Sequence, residues 1–149
     1  MAKIGESEKK LLQIAARGMK NGYVLWGFRV GAAVLAEDGK IYEGCNVESW
    51  VSGLGTCAER CSINHAVLHG NRRIKEIALV MDVANSNEPR PCGACLQYIH
   101  DFAENSKIKI VTAKAEKGKV LFETVEVMTL EDLLPSPFKK RENFRRNVE

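Results

Sequence analysis

Two short cysteine-containing segments, far apart in the sequence, constrain the fold of this chain more than any other feature. The first reads Cys57-Ala58-Glu59-Arg60 and the second reads Pro91-Cys92-Gly93-Ala94-Cys95. Cys-x-x-Cys is a common half of a zinc site, and Cys57 completes a set of three protein ligands. Three ligands leave the fourth tetrahedral position for water, as in catalytic zinc sites. The fold must therefore bring the two segments together at one zinc ion.

The predicted positions of these segments, at the N-termini of two helices, suit metal-binding cysteines. The unpaired N–H groups of a helix N-terminus carry partial positive charge, which favours thiolates over thiols. Arg60 adds a full positive charge close to Cys57 and offsets the negative charge of three thiolates on the metal. Glu59 closely follows the same ligand, so its carboxylate can reach water at the metal without binding the metal. This pattern predicts a hydrolytic zinc site in which Glu59 transfers protons.

Hydrophobic periodicity and turn residues predict an alternation of helices and strands. Ser7 and Thr56 are the predicted N-caps of the first two helices. Asp38-Gly39 and Glu116-Lys117-Gly118 are the predicted turns of two β-hairpins. The predicted helices cover residues 7–19, 57–69, 91–102 and 129–134, and the predicted strands cover residues 28–35, 41–46, 74–82, 108–113 and 120–127. Helices separated by strands need a sheet to cover, so we expect an α/β fold, a three-layer α/β/α sandwich with a five-stranded mixed sheet.

The composition is that of one ordinary globular domain, which we place at residues 1–138. The chain has 149 residues, of which 45% are hydrophobic and 28% are charged. Residues 139–149 are highly charged, and we expect a flexible tail there. The net charge of +3 is too small to indicate a nucleic-acid partner.

Nothing in the sequence predicts export or membrane insertion. No apolar run approaches the roughly 20 residues that span a membrane. The first ten residues, MAKIGESEKK, lack the apolar core of a signal peptide. In a reducing compartment, five cysteines indicate metal binding or catalysis rather than disulfides. We therefore expect a cytoplasmic protein with no membrane partner.

The two metal segments, together with further motifs, resemble those of the cytidine deaminases, in particular the small-subunit, three-cysteine branch that assembles as homotetramers. The resemblance covers residues 28–138 and includes three further stretches: Val30-Gly31-Ala32-Ala33, Gly44-Cys45-Asn46-Val47-Glu48, and Leu133-Leu134-Pro135 followed by Phe138. It implies one Zn²⁺ per subunit and hydrolytic deamination of cytidine or deoxycytidine to uridine or deoxyuridine, with release of ammonia. It also implies a place in pyrimidine salvage, a nucleoside substrate and a homotetramer.

The resemblance assigns roles to residues at the sugar and base. Asn46 and Glu48 would hold the ribose hydroxyl, since an amide and a carboxylate together can donate to and accept from a sugar alcohol. Phe28 would stack on the base. From the residues alone, Asn46 and Glu48 could instead satisfy a turn, and Phe28 could be an ordinary strand residue.

Further roles implied by the resemblance lie around the reacting amine. The backbone N–H of Ala58 would bind the pyrimidine carbonyl. The backbone carbonyl of Arg90, left free because Pro91 follows, would accept a hydrogen bond from the amine. Phe138 would close the pocket of a neighbouring subunit.

Several residues at the rim of the predicted pocket depart from the usual pattern of the cytidine deaminases. Serine usually stands where this chain has Arg90, and arginine where it has Leu96. The other departures are Trp50, Val51, Ser52 and the segment Val24-Leu25-Trp26-Gly27. Because the catalytic segments are unchanged, the departures concern substrate choice. They leave open a related aminopyrimidine nucleoside, such as a nucleoside antibiotic or an amine-substituted cytidine.

Other functions remain possible from the residues alone. Cys61 is one helical turn from Cys57 and could join the three cysteines in a closed, four-thiolate site, which would make the protein a non-catalytic binding module. We favour buried packing for Cys61, because a closed site leaves Glu59 and the Asn46/Glu48 pair without a role, and we expect Cys45 to pack within a strand. The histidines are expected on helix surfaces rather than at the metal: His65, His69 and His100. A polynucleotide deaminase would need a basic groove with aromatics, and the basic residues here are scattered.

Overall fold

The computed structural model describes residues 2–139, and the helices and strands follow the predicted order. The helices are α1 (Glu6–Met19), α2 (Ala58–Leu68), α3 (Gly93–Phe102) and α4 (Leu130–Leu133), and the strands are β1 (Val30–Ala36), β2 (Ile41–Cys45), β3 (Ile74–Asp82), β4 (Lys109–Glu116) and β5 (Lys119–Thr129). Of the predicted tail, residues 140–149 lie outside the described part of the chain. No helix between residues 2 and 139 is long and apolar enough to cross a membrane.

The five strands form one mixed sheet in the order β2-β1-β3-β4-β5. The two hairpins, β1–β2 and β4–β5, are antiparallel and lie at the two edges of the sheet. Strands β3 and β4 pair in parallel, and α3 connects them. A parallel pair needs such a crossover, because the chain must return to the same end of the sheet.

The helices cover both faces of the sheet, which confirms the predicted three-layer sandwich. On one face, Leu11 and Leu12 of α1 pack with alternate strand residues such as Ala33 and Ala78. The other face holds a second core cluster, formed by side chains from α2, α3 and the intervening strand positions: Ile63, Ile99, Val34, Ile77 and Ile110. Neighbouring residues of a strand thus point into different layers, as the period of two requires.

The helix N-termini differ from the predictions in their capping residues. Gly5 rather than Ser7 is the N-cap of α1, and its N–H donates to the Glu8 carboxylate at 2.9 Å. Cys57 rather than Thr56 is the N-cap of α2, because Thr56 pairs with the backbone of Val47. The N-cap of α3 is Cys92. Two of the predicted zinc ligands therefore occupy N-cap positions.

A close approach between β2 and α2 positions the site. A Cβ atom on Gly44 would lie 2.4 Å from the backbone nitrogen of Ser62, so no larger residue fits between the strand and the helix. This contact places the N-terminus of α2 at the end of β2, where the loop of residues 46–57 begins. The N-terminus of α3, which follows β3, lies at the same end of the molecule, where its cysteines meet Cys57.

Candidate active site

The three predicted zinc ligands come together at the N-termini of α2 and α3. The sulfur atoms of Cys57, Cys92 and Cys95 all lie within 4.8 Å of one another. Within residues 2–139, this is the only group of three or more His, Cys, Asp or Glu side chains that lie close enough together to hold a metal ion. Cys95 is fully buried, whereas Cys92 is exposed at the opening of the site.

The chemistry of this cluster fits zinc. Thiolates are ligands that zinc prefers, and a Zn–S bond of about 2.3 Å places the sulfurs of a tetrahedral site roughly 3.8 Å apart. Sulfurs that already lie within 4.8 Å of one another need only small rotations to reach that spacing. The N-terminal N–H groups of two helices add partial positive charge beside the sulfurs.

Arg60 supplies the positive charge that three thiolates need. Its guanidinium donates to the sulfur of Cys57 at 3.5 Å. A hydrogen bond from Cys95, and then the one from Arg60, lower the pKa of Cys57 to about 5. The same hydrogen bond to Cys57, together with burial, raises the pKa of Cys95. The neighbouring side chains thus favour a thiolate at Cys57, as the sequence analysis expected of Arg60.

Glu59 lies in the first turn of α2, directly beside the cysteine cluster. Its side chain is only 4% exposed, and no cation pairs with it among the ion pairs of residues 2–139. Burial raises the pKa of Glu59 to about 7, and the negative charge of Cys57 contributes to the rise. A carboxyl group with a pKa near neutrality can both accept and donate a proton at physiological pH.

A cavity of about 320 Å³ opens onto the cluster. Its walls are mainly apolar, and they include all but three of the residues predicted to be at the site: Phe28, Asn46, Glu48, Cys57, Ala58, Glu59, Arg90 and Cys92. Pockets for small ligands begin at about 300 Å³ and are lined mostly by apolar groups. The size and the lining therefore suit a small organic molecule with one planar ring.

Asn46 and Glu48 both hold the segment that precedes β1. The Asn46 side chain accepts from the N–H of Val30 and donates to the carbonyl of Phe28, each at 2.8 Å. The Glu48 carboxylate accepts from the backbone N–H groups of Leu25 and Trp26. These hydrogen bonds lower the pKa of Glu48 and keep it ionised. The turn contacts considered in the sequence analysis are thus present, while sugar binding by these two residues stays a prediction.

Phe138 lies outside the lining of this cavity. Its ring is 80% exposed. Its backbone is held by Gln97 of α3, whose side chain donates to the Phe138 carbonyl at 2.9 Å and accepts from its N–H at 3.0 Å. The residue is therefore fixed in place with its ring free, and its role at a neighbouring subunit stays a prediction.

The alternative zinc ligands lie elsewhere. Cys61 is not part of the metal-binding group, and its thiol lies beside that of Cys45. The ring of His65 contacts the carbonyl of Glu43 at 3.0 Å, and His69 contacts the carbonyl of His65 at 2.9 Å. The geometry of residues 2–139 thus favours the open three-cysteine site over the closed one.

Three features of the rim were missed by the sequence analysis. Trp26 and Trp50 form an edge-to-face pair, with ring centroids 5.1 Å apart, and Trp26 directly precedes Gly27 of the cavity lining. A Cβ on Gly27 would meet a carboxylate oxygen of Glu48 at 2.4 Å, so Glu48 can hold its position only beside a glycine. The Arg90 side chain forms an ion pair with Glu126 of β5. All three involve residues far apart in sequence, and no local pattern indicates them.

Comparison with known proteins places the chain in a family. The model of the cytidine and deoxycytidylate deaminase zinc-binding region matches residues 5–112. A cytidine deaminase of Sporosarcina psychrophila is 38% identical over 135 residues, which make up 90% of this chain and 93% of that protein. A cytidine deaminase of Halalkalibacterium halodurans is 31% identical, over 86% of this chain and 91% of that protein.

Solved structures agree with the sequence comparisons. A crystal structure of cytidine deaminase from Burkholderia pseudomallei matches with a TM-score of 0.75 and 31% identity, covering 91% of this chain and 100% of that chain. The cytidine deaminase of Mycobacterium tuberculosis matches with a TM-score of 0.68 and 28% identity, over 89% and 97% of the two chains. The matched region contains all three cysteines of the cluster and Glu59. The chain therefore belongs to the family of zinc-binding cytidine and deoxycytidylate deaminases.

Proposed function

We propose that this protein catalyses the zinc-dependent hydrolysis of cytidine and deoxycytidine to uridine and deoxyuridine, with release of ammonia. One observation carries the proposal: a buried carboxyl group, Glu59, lies beside three clustered cysteines at the bottom of a cavity of about 320 Å³. The relatives named cytidine deaminase support the choice of substrate. The departures at the rim leave the catalytic segments unchanged.

Cys57, Cys92 and Cys95 would hold the zinc ion. When bound, zinc supplies a Lewis acid that activates a water molecule as a nucleophile. Glu59 would take a proton from the attacking water and deliver it to the ring nitrogen. It would then take the remaining proton of the hydroxyl added to the ring carbon and pass it to the amine, which leaves as ammonia while the carbonyl forms. Because the pKa of Glu59 lies near 7, one group can serve in all of these transfers. The low exposure of Glu59 keeps bulk water from exchanging its proton during the reaction.

The opposite side of the cavity would bind the rest of the nucleoside. Asn46 retains an N–H and a lone pair, and the Glu48 carboxylate retains lone pairs, beyond those used by the backbone, so both can also contact the ribose hydroxyl. Phe28 would stack on the base. The N–H of Ala58, in the first turn of α2, would bind the pyrimidine carbonyl, and the carbonyl of Arg90 would accept from the amine.

A homotetramer would complete these sites. Exposed apolar side chains line the cavity, such as Phe28 and Val47. Trp26, next to the lining residue Gly27, pairs with Trp50, and the two are 65% and 76% exposed. Exposed apolar patches around a binding site are typical of interfaces. The ring of Phe138, fixed but free, would cover the cavity of a neighbouring subunit. Unpaired cysteines throughout suit a reducing compartment such as the cytoplasm, where the reaction would serve pyrimidine salvage.

An absorbance assay tests the proposal. Zinc-containing protein is mixed with cytidine, deoxycytidine or free cytosine, and both the loss of the aminopyrimidine absorbance and the release of ammonia are measured. We expect turnover of the two nucleosides and much weaker turnover of cytosine, because binding energy from the sugar helps to position the reacting ring. Glu59→Ala is the matched control for contaminating activity. Absence of nucleoside turnover by protein with a full complement of zinc would rule out the proposed function.

A further inference from the structure

Arg90 is the only lysine or arginine that lines the cavity, among the residues that the structure describes. It stands in the loop between β3 and α3, just before the ligand Cys92. The guanidinium of Arg90 reaches out of this loop to the carboxylate of Glu126 on β5 and also donates to the carbonyl of Pro89 at 2.9 Å. The guanidinium thus links the loop to the edge strand, in an ion pair whose two side chains are 36% and 44% exposed.

The loop that carries Arg90 is itself anchored to the sheet. The ammonium group of Lys114 on β4 donates to the carbonyls of Asn85 and Asn87. The side chain of Asn85 is buried and accepts from the N–H of Asn87 at 3.0 Å. Because the loop is held independently of Arg90, removing the guanidinium leaves the backbone at residue 90 with other supports.

A second depression is lined by Pro89 and Glu126, the two residues that the Arg90 guanidinium contacts. It is an open groove of about 610 Å³, and it is lined largely by charged and polar groups: Glu88, Lys114, Glu123, Thr124 and Glu126. Pro89 and Glu126 belong to the groove, whereas Arg90 belongs to the cavity. Arg90 bonds to both of these residues, so its side chain connects a residue that lines the cavity with residues that line the groove.

Arg90 lies near the amine end of the bound ring, provided that the proposed function holds. The carbon that loses its amine must lie next to the metal, and Arg90 is beside the ligand Cys92. Asn46 and Glu48 come from the loop after β2 and contact the segment before β1, where the sugar would lie. A substituent on the amine would therefore point toward the Arg90–Glu126 pair.

We propose that the Arg90–Glu126 ion pair is a specificity-determining wall that restricts the enzyme to nucleosides with an unsubstituted amine. With the wall in place, an alkyl group on the amine would collide with a guanidinium that is bonded on two sides. With the wall removed, the group would extend into the groove. This inference deepens the proposed function and disfavours amine-substituted cytidines as natural substrates.

The test compares cytidine with N4-methylcytidine. In the second reaction, water adds its oxygen to the ring carbon, the bond from that carbon to the methylamino nitrogen breaks, and methylamine leaves with the proton that ammonia would take. The products are uridine and methylamine, so chromatography of uridine measures both substrates on one scale. The readout is the ratio of kcat/KM for N4-methylcytidine to kcat/KM for cytidine.

Arg90→Ser keeps the backbone carbonyl and opens the wall, and we expect it to raise this ratio at least about tenfold. One methylene in a tight pocket discriminates roughly 10- to 200-fold, so removing the obstruction has an effect of that order. Glu126→Ala, which frees the guanidinium to swing into the groove, should raise the ratio less. Arg17→Gln, which breaks an exposed ion pair with Glu43 on another part of the surface, should leave the ratio unchanged.

Zinc content and melting temperature are measured for every variant. An unchanged ratio in Arg90→Ser with full zinc content would overturn the inference, and so would an equal loss on both substrates, which a purely supporting role predicts. If Arg90→Ser fails to fold, Glu126→Ala provides the test. An unchanged ratio of kcat/KM values in Glu126→Ala would then overturn the inference. Wild-type turnover of cytidine, measured separately, reports on the proposed function, so the two failures are distinguishable.

Discussion

The two ends of the active-site cavity are built in different ways. At the metal end, Cys57, Glu59 and Cys95 lie in or next to the first turns of two helices, and the last two are buried. At the open end, Trp26 and Trp50 are exposed and lie outside the helices and strands. Helix termini packed on a sheet hold the first group, whereas side-chain hydrogen bonds to the backbone hold the second.

This difference suggests that the metal end of the cavity carries out the reaction and that the open end selects the substrate. The metal end needs fixed distances between sulfurs, carboxylate and substrate, and short helical spacing on rigid elements supplies them. The open end depends on Glu48, whose carboxylate holds Leu25 and Trp26 from more than twenty positions away in the sequence. A change at the metal end should therefore reduce turnover, and a change at the open end should mainly reduce affinity. Four variants test this distinction.

The largest effect is expected for Glu59→Ala, at the metal end. The change removes proton transfer without removing a ligand, so zinc content should be normal while kcat falls about 100- to 10,000-fold. Steady-state kinetics and metal analysis measure the two quantities. Retention of a tenth of wild-type turnover would contradict the role of Glu59.

Arg60→Gln should have the next largest effect. It leaves three ligands but removes the guanidinium that donates to Cys57. Groups that support metal ligands contribute about 10- to 100-fold, so kcat should fall within this range and by a larger factor than the zinc content. Arg17→Gln, an arginine in an exposed ion pair, is the matched control. Unchanged kinetics in Arg60→Gln would show that the thiolates need no such charge.

Gly27→Ala tests the open end. The new Cβ would meet the Glu48 carboxylate at 2.4 Å and must displace it. Overpacking of this kind costs about 1–3 kcal/mol, so we expect KM for cytidine to rise roughly tenfold, with a smaller change for free cytosine. Gly93→Ala, where a Cβ meets no atom within 4 Å, is a matched control at the metal end. An equal rise in KM for cytidine and for cytosine would show that Glu48 does not contact the sugar.

Phe138→Ala should have the smallest effect, limited to a KM increase of roughly two- to tenfold with zinc content unchanged, as the loss of one aromatic contact implies. If the ring acts on a neighbouring subunit, mixing this variant with Glu59→Ala under conditions of subunit exchange should restore some native sites. Light scattering provides the independent check. An active monomer would exclude a role for Phe138 across subunits.

Much of the fold could be predicted from local sequence, and the misses lie at helix N-termini. The boundaries of β3 were predicted without error, since a continuous apolar run marks a buried strand. The N-caps at Ser7 and Thr56 were wrong. Gly5 caps α1 through its local hydrogen bond with Glu8, whereas Cys57 caps α2 because Thr56 pairs with the distant Val47. Capping propensities are small compared with the energy of packing, so packing decides where two candidates compete.

The sequence by itself determined the metal end of the site. Cys57, Glu59 and Arg60 lie within one helical turn, and Cys92 with Cys95 spans another, so helix geometry alone sets most of their relative positions. Only the tertiary structure decided that the two turns meet, that Gly27 makes room for Glu48, and that Arg90 pairs with Glu126. Contacts between distant segments follow from how whole elements pack against one another, and short-range residue patterns carry no record of that packing.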